Sequence, residues 1–75
     1  MSESQDHWQN LAKRHLKAEL KRADVGYAEL AKRLGEMGLP ETEGSITVKI
    51  NRGAFPAWFL LAVMHAVGAH TLRLD

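Results

Sequence analysis

The chain has 75 residues, of which 45% are hydrophobic and 25% are charged, and its formal net charge at pH 7 is only +1. This length leaves room for one small domain, and the composition is that of a globular protein rather than a disordered one. The absence of cysteine excludes disulfide bonds, thiolate metal sites and cysteine nucleophiles.

Residues 1–7 form a polar N-terminal segment without the apolar stretch of a secretory signal, so we expect a cytoplasmic protein. A first helix is predicted from about Gln5 to Ala23, a segment that contains no glycine or proline. Ser2 or Asp6 could cap its start. Apolar residues recur there near helical spacing and predict one apolar stripe, formed by Trp8, Ala12, Leu16, Leu20 and Ala23.

Charge is unevenly distributed along the chain. Residues 7–35 carry seven basic and three acidic side chains, so the first half of the chain is basic. Such a surface could contact an anionic polymer, or it could be an ordinary solvated face. Lys13, Lys17 and Lys21 stand one turn apart on the first helix, and the same two interpretations are open for this row.

A second helix is predicted from Tyr27 to about Met37, after a break at residues 24–26 and before a stop at Gly38. Helical spacing places five apolar residues on one face, namely Tyr27, Leu30, Ala31, Leu34 and Met37.

A third helix is predicted over about 43–52. Thr42 is a favourable N-cap residue, and Ile46 and Ile50 should face inward. Gly53 stands where a helix commonly ends in a left-handed residue.

A fourth helix is predicted from Pro56, placed in its first turn, through Val67, with Gly68 ending it. The apolar run 56–69 is too short for the roughly 20 residues of a membrane-spanning helix, so no membrane contact is expected. The helix is apolar on most sides, which predicts burial against other helices or a second subunit. We expect the two tryptophans and two phenylalanines of the chain, Trp8, Phe55, Trp58 and Phe59, to supply much of the core.

The C-terminal residues 71–75 alternate apolar and polar side chains, which fits a short strand or an extended tail. A lone strand needs a partner, and a symmetry mate could supply one. We therefore expect a homodimer formed through the fourth helix and the tail at Leu72 and Leu74.

Three segments carry a resemblance to a known family. Residues 27–35, Tyr-Ala-Glu-Leu-Ala-Lys-Arg-Leu-Gly, resemble the second helix of Cro/lambda-repressor-like (Xre-type) helix-turn-helix domains. Residues 46–53, which end in Asn-Arg-Gly, resemble the end of that family's recognition helix, and residues 56–68 resemble the helix that follows. The resemblance covers about 16–74 and is nearest to a small bacterial family of unknown function that shares the closing Leu-Arg-Leu-Asp.

The resemblance implies an all-α, compact four-helix helix-turn-helix domain over residues 8–75. It also implies binding of double-stranded DNA and regulation of transcription, with the third helix in the major groove. The connection over residues 35–42 is longer than the tight turn of the common helix-turn-helix, which affects the angle and reach of the third helix.

With Ile46 and Ile50 inward, the third helix turns Gly44 and a set of groove-matching side chains outward or to its flanks. Arg52 suits guanine and Asn51 suits adenine, although both could merely cap the helix end. The hydroxyls of Ser45 and Thr47 can bind base edges or phosphate. Val48 can contact a thymine methyl group, and Lys49 can contact a phosphate. Lys32 and Arg33 lie near the turn and are expected to contact phosphates. The candidate DNA contacts are Lys32, Arg33, Ser45, Thr47, Val48, Lys49, Asn51 and Arg52.

Two expectations follow for substitutions. Arg52→Ala combined with Lys49→Ala should weaken DNA binding without unfolding the domain, because both side chains are expected to be exposed. Ile46→Ala should lower stability by about 2 to 5 kcal/mol, because the side chain is expected in the core.

The sequence contains no motif typical of an enzyme active site or a metal site. No two of the four histidines stand at the helical spacing of a metal site, and no cysteine accompanies them. No nucleophile with a matching base and no phosphate-cradling glycine motif is present. We expect no enzymatic activity, no cofactor and no metal. The alternative to DNA binding is a protein-interaction or assembly module of the same fold.

Overall fold

Four α-helices account for most of the computed structural model, which describes residues 3–72. Their order is α1 Glu3–Ala23, α2 Tyr27–Glu36, α3 Glu43–Arg52 and α4 Ala57–Ala66. The described part of the chain contains no strand, so the expected all-α class is confirmed. None of these helices is both long and apolar enough to cross a bilayer.

The hydrophobic core lies where α3 and α4 each pack against both α1 and α2. Every helix contributes two or more buried side chains from its inward face. The fully buried residues are Leu16, Leu30, Leu34, Ile46, Ile50, Phe59 and Val63. The inward orientation expected for Ile46 and Ile50 is therefore confirmed.

The turn between α1 and α2 is built on a left-handed residue. Asp24 has φ 57°, and its N–H donates to Lys21 O at 3.1 Å. The next N–H, that of Val25, donates to Leu20 O at 2.9 Å, and its side chain is buried. These bonds satisfy carbonyls at the end of α1 while reversing the chain direction.

The residues predicted to bound α3 and α4 lie at or next to the ends of these helices in the structure. Thr42 is the N-cap of α3, and Gly53 has φ 64° at its C-terminal end, as expected. Pro56 is the N-cap of α4 rather than a residue of its first turn. Gly68, with φ 76°, lies just beyond the end of α4.

The start of α1 differs from expectation. The helix is described from Glu3, so Asp6 lies inside it and does not cap it, and Ser2, the other expected cap, lies outside the described residues. Of the C-terminal tail, residues 71 and 72 are in neither helix nor strand, and residues 73–75, including Leu74, lie outside the described residues.

The expected contribution of tryptophan to the core is wrong. The exposed fractions are 59% for Trp8 and 49% for Trp58, and Met37 is exposed too, whereas Phe59 is fully buried. Trp8 lies in the first turns of α1, where the residues from Glu3 through Trp8 are all exposed. Trp58 lies on the outer side of α4, which is apolar on more sides than the other helices cover.

Candidate nucleic-acid interface

The outward face of α3 presents three of the predicted contact residues to solvent. Ile46 and Ile50 anchor the opposite face in the core, which fixes the rotation of the helix. Val48 is 49% exposed, and Asn51 and Arg52 are also exposed. These side chains fall on the second half of α3 and form one continuous helical surface.

The two hydroxyl groups expected at the interface make contacts within α3 and its cap. Thr42 Oγ1 accepts from Ser45 N at 3.0 Å, and Ser45 Oγ accepts from Thr42 N at 3.0 Å. Thr47 Oγ1 donates to Glu43 O at 2.8 Å. The reciprocal pair is a capping box, which satisfies two backbone N–H groups at the start of the helix.

Lys49 is directed toward α4 instead of outward. Its Nζ lies 2.6 Å from Glu41 Oε2, and it lies 5.6 Å and 5.1 Å from the ring centroids of Trp58 and Phe59. The Lys49 side chain is 32% exposed and that of Glu41 only 8%. The expected exposure of Lys49 is therefore wrong, because its amine joins the α2–α3 connection to the start of α4.

Glu41 is ionised more readily than an ordinary glutamate. Burial by itself raises the pKa of this carboxyl, but hydrogen bonds from Lys49 and Ser45 and the positive charge of Lys49 outweigh that effect. The pKa is therefore lowered overall. Glu41 Oε1 accepts from Ser45 Oγ at 2.7 Å, so one carboxylate holds both the cap and the lysine.

Arg33 binds the other end of α4. Its Nη1 donates to Ala66 O at 2.9 Å, and its Nε donates to Glu29 Oε2 at 3.0 Å. Residues 58 and 66 are about 12 Å apart along a helix, so Arg33 and Lys49 contact opposite ends of α4. The structure thus does not bring Arg33 together with Lys49, whereas the neighbouring Lys32 is exposed on α2.

A close backbone contact joins the end of α3 to the second turn of α1. A Cβ built on Gly53 would lie 2.1 Å from Gln9 O, so only hydrogen fits there. Lys13 is one helical turn beyond Gln9 on α1, and Arg52 precedes Gly53. Lys13, the first residue of the lysine row, therefore lies one helical turn from the residue of α1 that contacts the end of α3. The lysine row and Gly53 are both visible in the sequence, but no local pattern places Gly53 against α1.

Comparison with known proteins identifies a family. A family model described as "Domain of unknown function (DUF6471)" matches residues 8–72. The search of curated proteins and the search of solved structures give no match. The matched segment contains α2, α3 and α4 and all of α1 after His7. The chain therefore belongs to the DUF6471 family.

Proposed function

We propose that this protein is a helix-turn-helix domain of the Xre type that binds double-stranded DNA through α3 and regulates transcription. The observation that carries the proposal is the exposed surface of Val48, Asn51 and Arg52 on the second half of α3. Lys13, the first residue of the basic row on α1, lies one helical turn from Gln9, which contacts Gly53 at the end of α3.

The chemistry of this surface matches the major groove. The Arg52 guanidinium can donate two hydrogen bonds to guanine O6 and N7, and the Asn51 amide can pair with adenine N6 and N7. Val48 offers methyl groups to a thymine methyl. Lys13, Lys17 and Lys21 carry charge on successive turns of α1, which suits a phosphate backbone that needs positioning contacts without sequence preference.

The remaining candidate contacts divide between positioning and phosphate binding. Ser45, Thr47 and Lys49 fix the cap and the orientation of α3 in this proposal, and Arg33 holds α4. Lys32 keeps its role as a phosphate contact. The exposed Glu43 at the first turn of α3 disfavours an anion there, which directs the phosphates toward the C-terminal half of the helix.

The test is fluorescence anisotropy of a labelled random-sequence DNA duplex, titrated with protein at several salt concentrations. We expect the logarithm of the association constant to fall linearly with the logarithm of the salt concentration. Against the tightest-binding duplex selected from the same random pool, Arg52→Ala should weaken binding about tenfold, because its contact with guanine is lost. Lys13→Ala with Lys17→Ala should reduce the salt slope by about 2.

Arg22→Ala is the matched control. Arg22 is exposed, carries the same charge as Arg52, and lies on the opposite side of α1 from Lys13. Its side chain is 65% exposed and pairs with Glu19 one turn away on the same helix, so we expect its loss to cost about 0 to 1 kcal/mol of stability. No binding at low salt, or equal losses for Arg22→Ala and Arg52→Ala, would overturn the proposal and favour the protein-interaction module.

A further inference from the structure

The outer face of α4 carries exposed apolar side chains and no formal charge. Phe59, Ala62, Val63 and Met64 are buried on the inner face. Trp58 is 49% exposed and Leu61 is 66% exposed, and His65 is exposed as well. Positions 58, 61 and 65 are three and four residues apart, so the three side chains form one stripe along the helix.

The tryptophan of this stripe is held in place by its neighbours. Lys49 Nζ lies 5.6 Å from its ring centroid, and the Phe59 ring meets it edge-on with centroids 6.1 Å apart. Lys49 is in turn fixed by Glu41. An aromatic side chain ordered before association loses little entropy on binding, and such residues commonly anchor protein interfaces.

We propose that the outer face of α4, defined by Trp58, Leu61 and His65, binds the same face of a second copy of this chain. In a two-fold pair the same patch faces itself, and residues near the axis meet their own counterparts. Leu61 lies at the centre of the stripe and is placed at the axis in this pairing, so like charges there would repel. α4 has no Asp, Glu, Lys or Arg, whereas α1, α2 and α3 each carry several. The cation next to the stripe, Lys49, is already neutralised by Glu41.

The absence of charge on this face also argues against nucleic acid or an anionic membrane as its partner. Nucleic acid and anionic lipid surfaces are attracted by exposed lysine and arginine, which the stripe lacks. Leu61 is also the most exposed of the large apolar side chains in the described part of the chain. Burying it against a second Leu61 removes apolar surface from water without burying a charge.

The test is sedimentation equilibrium of the full chain over a wide concentration range. The wild-type protein is expected to approach twice its chain mass of 8.4 kDa. Leu61→Glu places two carboxylates across the symmetry axis and should raise the dimer Kd at least about 100-fold. Because Leu61 is exposed, the circular dichroism spectrum and unfolding midpoint should stay near those of the wild type.

Two further samples decide which surface pairs. Leu61→Glu and Leu61→Lys should each be monomeric, and an equimolar mixture should form a heterodimer, because only self-pairing at this position turns repulsion into attraction. Trp8→Glu also replaces an exposed large apolar side chain by a carboxylate, but on α1. This variant should leave the dimer intact.

A wild-type protein that is monomeric at all concentrations would overturn the proposal. So would a Leu61→Glu variant that still dimerises, or a loss of the dimer in Trp8→Glu alone. None of these measurements contains DNA, so their outcome is independent of the proposed DNA binding.

Discussion

At the scale of single residues, neighbouring groups decide what a charged side chain does. Arg33 and Arg52 both lie near the end of a predicted helix, yet Arg33 donates to Ala66 O and Arg52 is exposed on the outer face of α3. Lys49 has the same formal charge but is held between Glu41 and two aromatic rings. A list of basic residues thus overstates the charge that is available to a ligand.

Gly53 provides a prediction at this scale. Gly53→Ala should destabilise the domain by more than about 3 kcal/mol, because the new Cβ would both occupy a left-handed backbone and overlap Gln9 O. Gly68→Ala is the control, since Gly68 is also left-handed but a Cβ added there would meet nothing within 4 Å. It should lose only about 1 kcal/mol. Urea unfolding followed by circular dichroism measures both, and equal losses would contradict the close contact with α1.

At the scale of elements, the connection between α2 and α3 acts as part of the helix packing. Leu39 N donates to Leu34 O at 2.9 Å, which closes α2, and Gly38 has φ 83°. Glu41 then contacts both Ser45 and Lys49. The extra length that sets this connection apart from a tight helix-turn-helix turn is therefore used to bring a carboxylate onto α3 and toward α4.

Glu41 gives a pH-dependent prediction. Its pKa is lower in the folded state than in the unfolded chain, so its stabilising effect is full above the ordinary glutamate pKa and is lost as pH falls through the lowered value. Glu41→Gln should cost about 1 to 2 kcal/mol at pH 7, where a charge-assisted hydrogen bond is removed. Because the Glu41→Gln variant lacks this titrating carboxyl, it should lose less stability than the wild type when the pH falls below about 4.5.

Urea unfolding at a series of pH values measures this difference. Glu36→Gln is the matched control, because Glu36 is exposed at the end of α2 and the same chemical change there should leave the acid loss as in the wild type. If Glu41→Gln and wild type lose stability in parallel on acidification, the ion pair contributes nothing to the pH dependence.

At the scale of the whole molecule, one small core must support four helices. A chain of this length buries only about 60% of the surface that it exposes when unfolded. The fully buried residues come from all four helices, so each core side chain stabilises several elements together. Loss of one such residue is expected to affect the entire domain instead of a single helix.

Ile46→Ala tests this shared core. The side chain is fully buried, so the substitution should cost about 2 to 5 kcal/mol and lower the unfolding midpoint of the whole domain cooperatively. Val48→Ala on the same helix changes an exposed side chain and should stay within about 0.5 kcal/mol of the wild type. Thermal unfolding of the two variants compares them directly, and similar midpoints would show that the rotation of α3 differs from the one described.

The sequence alone determined the four helices, because apolar spacing, Thr42 and the glycines that end helices act within a few residues. It also determined the rotation of α3, since Ile46 and Ile50 are its two large inward apolar side chains. The positions of Trp8, Trp58, Arg33 and Lys49 were decided only by the tertiary structure. Their partners, or the lack of a covering helix, depend on segments distant in sequence, and local periodicity carries no information about those segments.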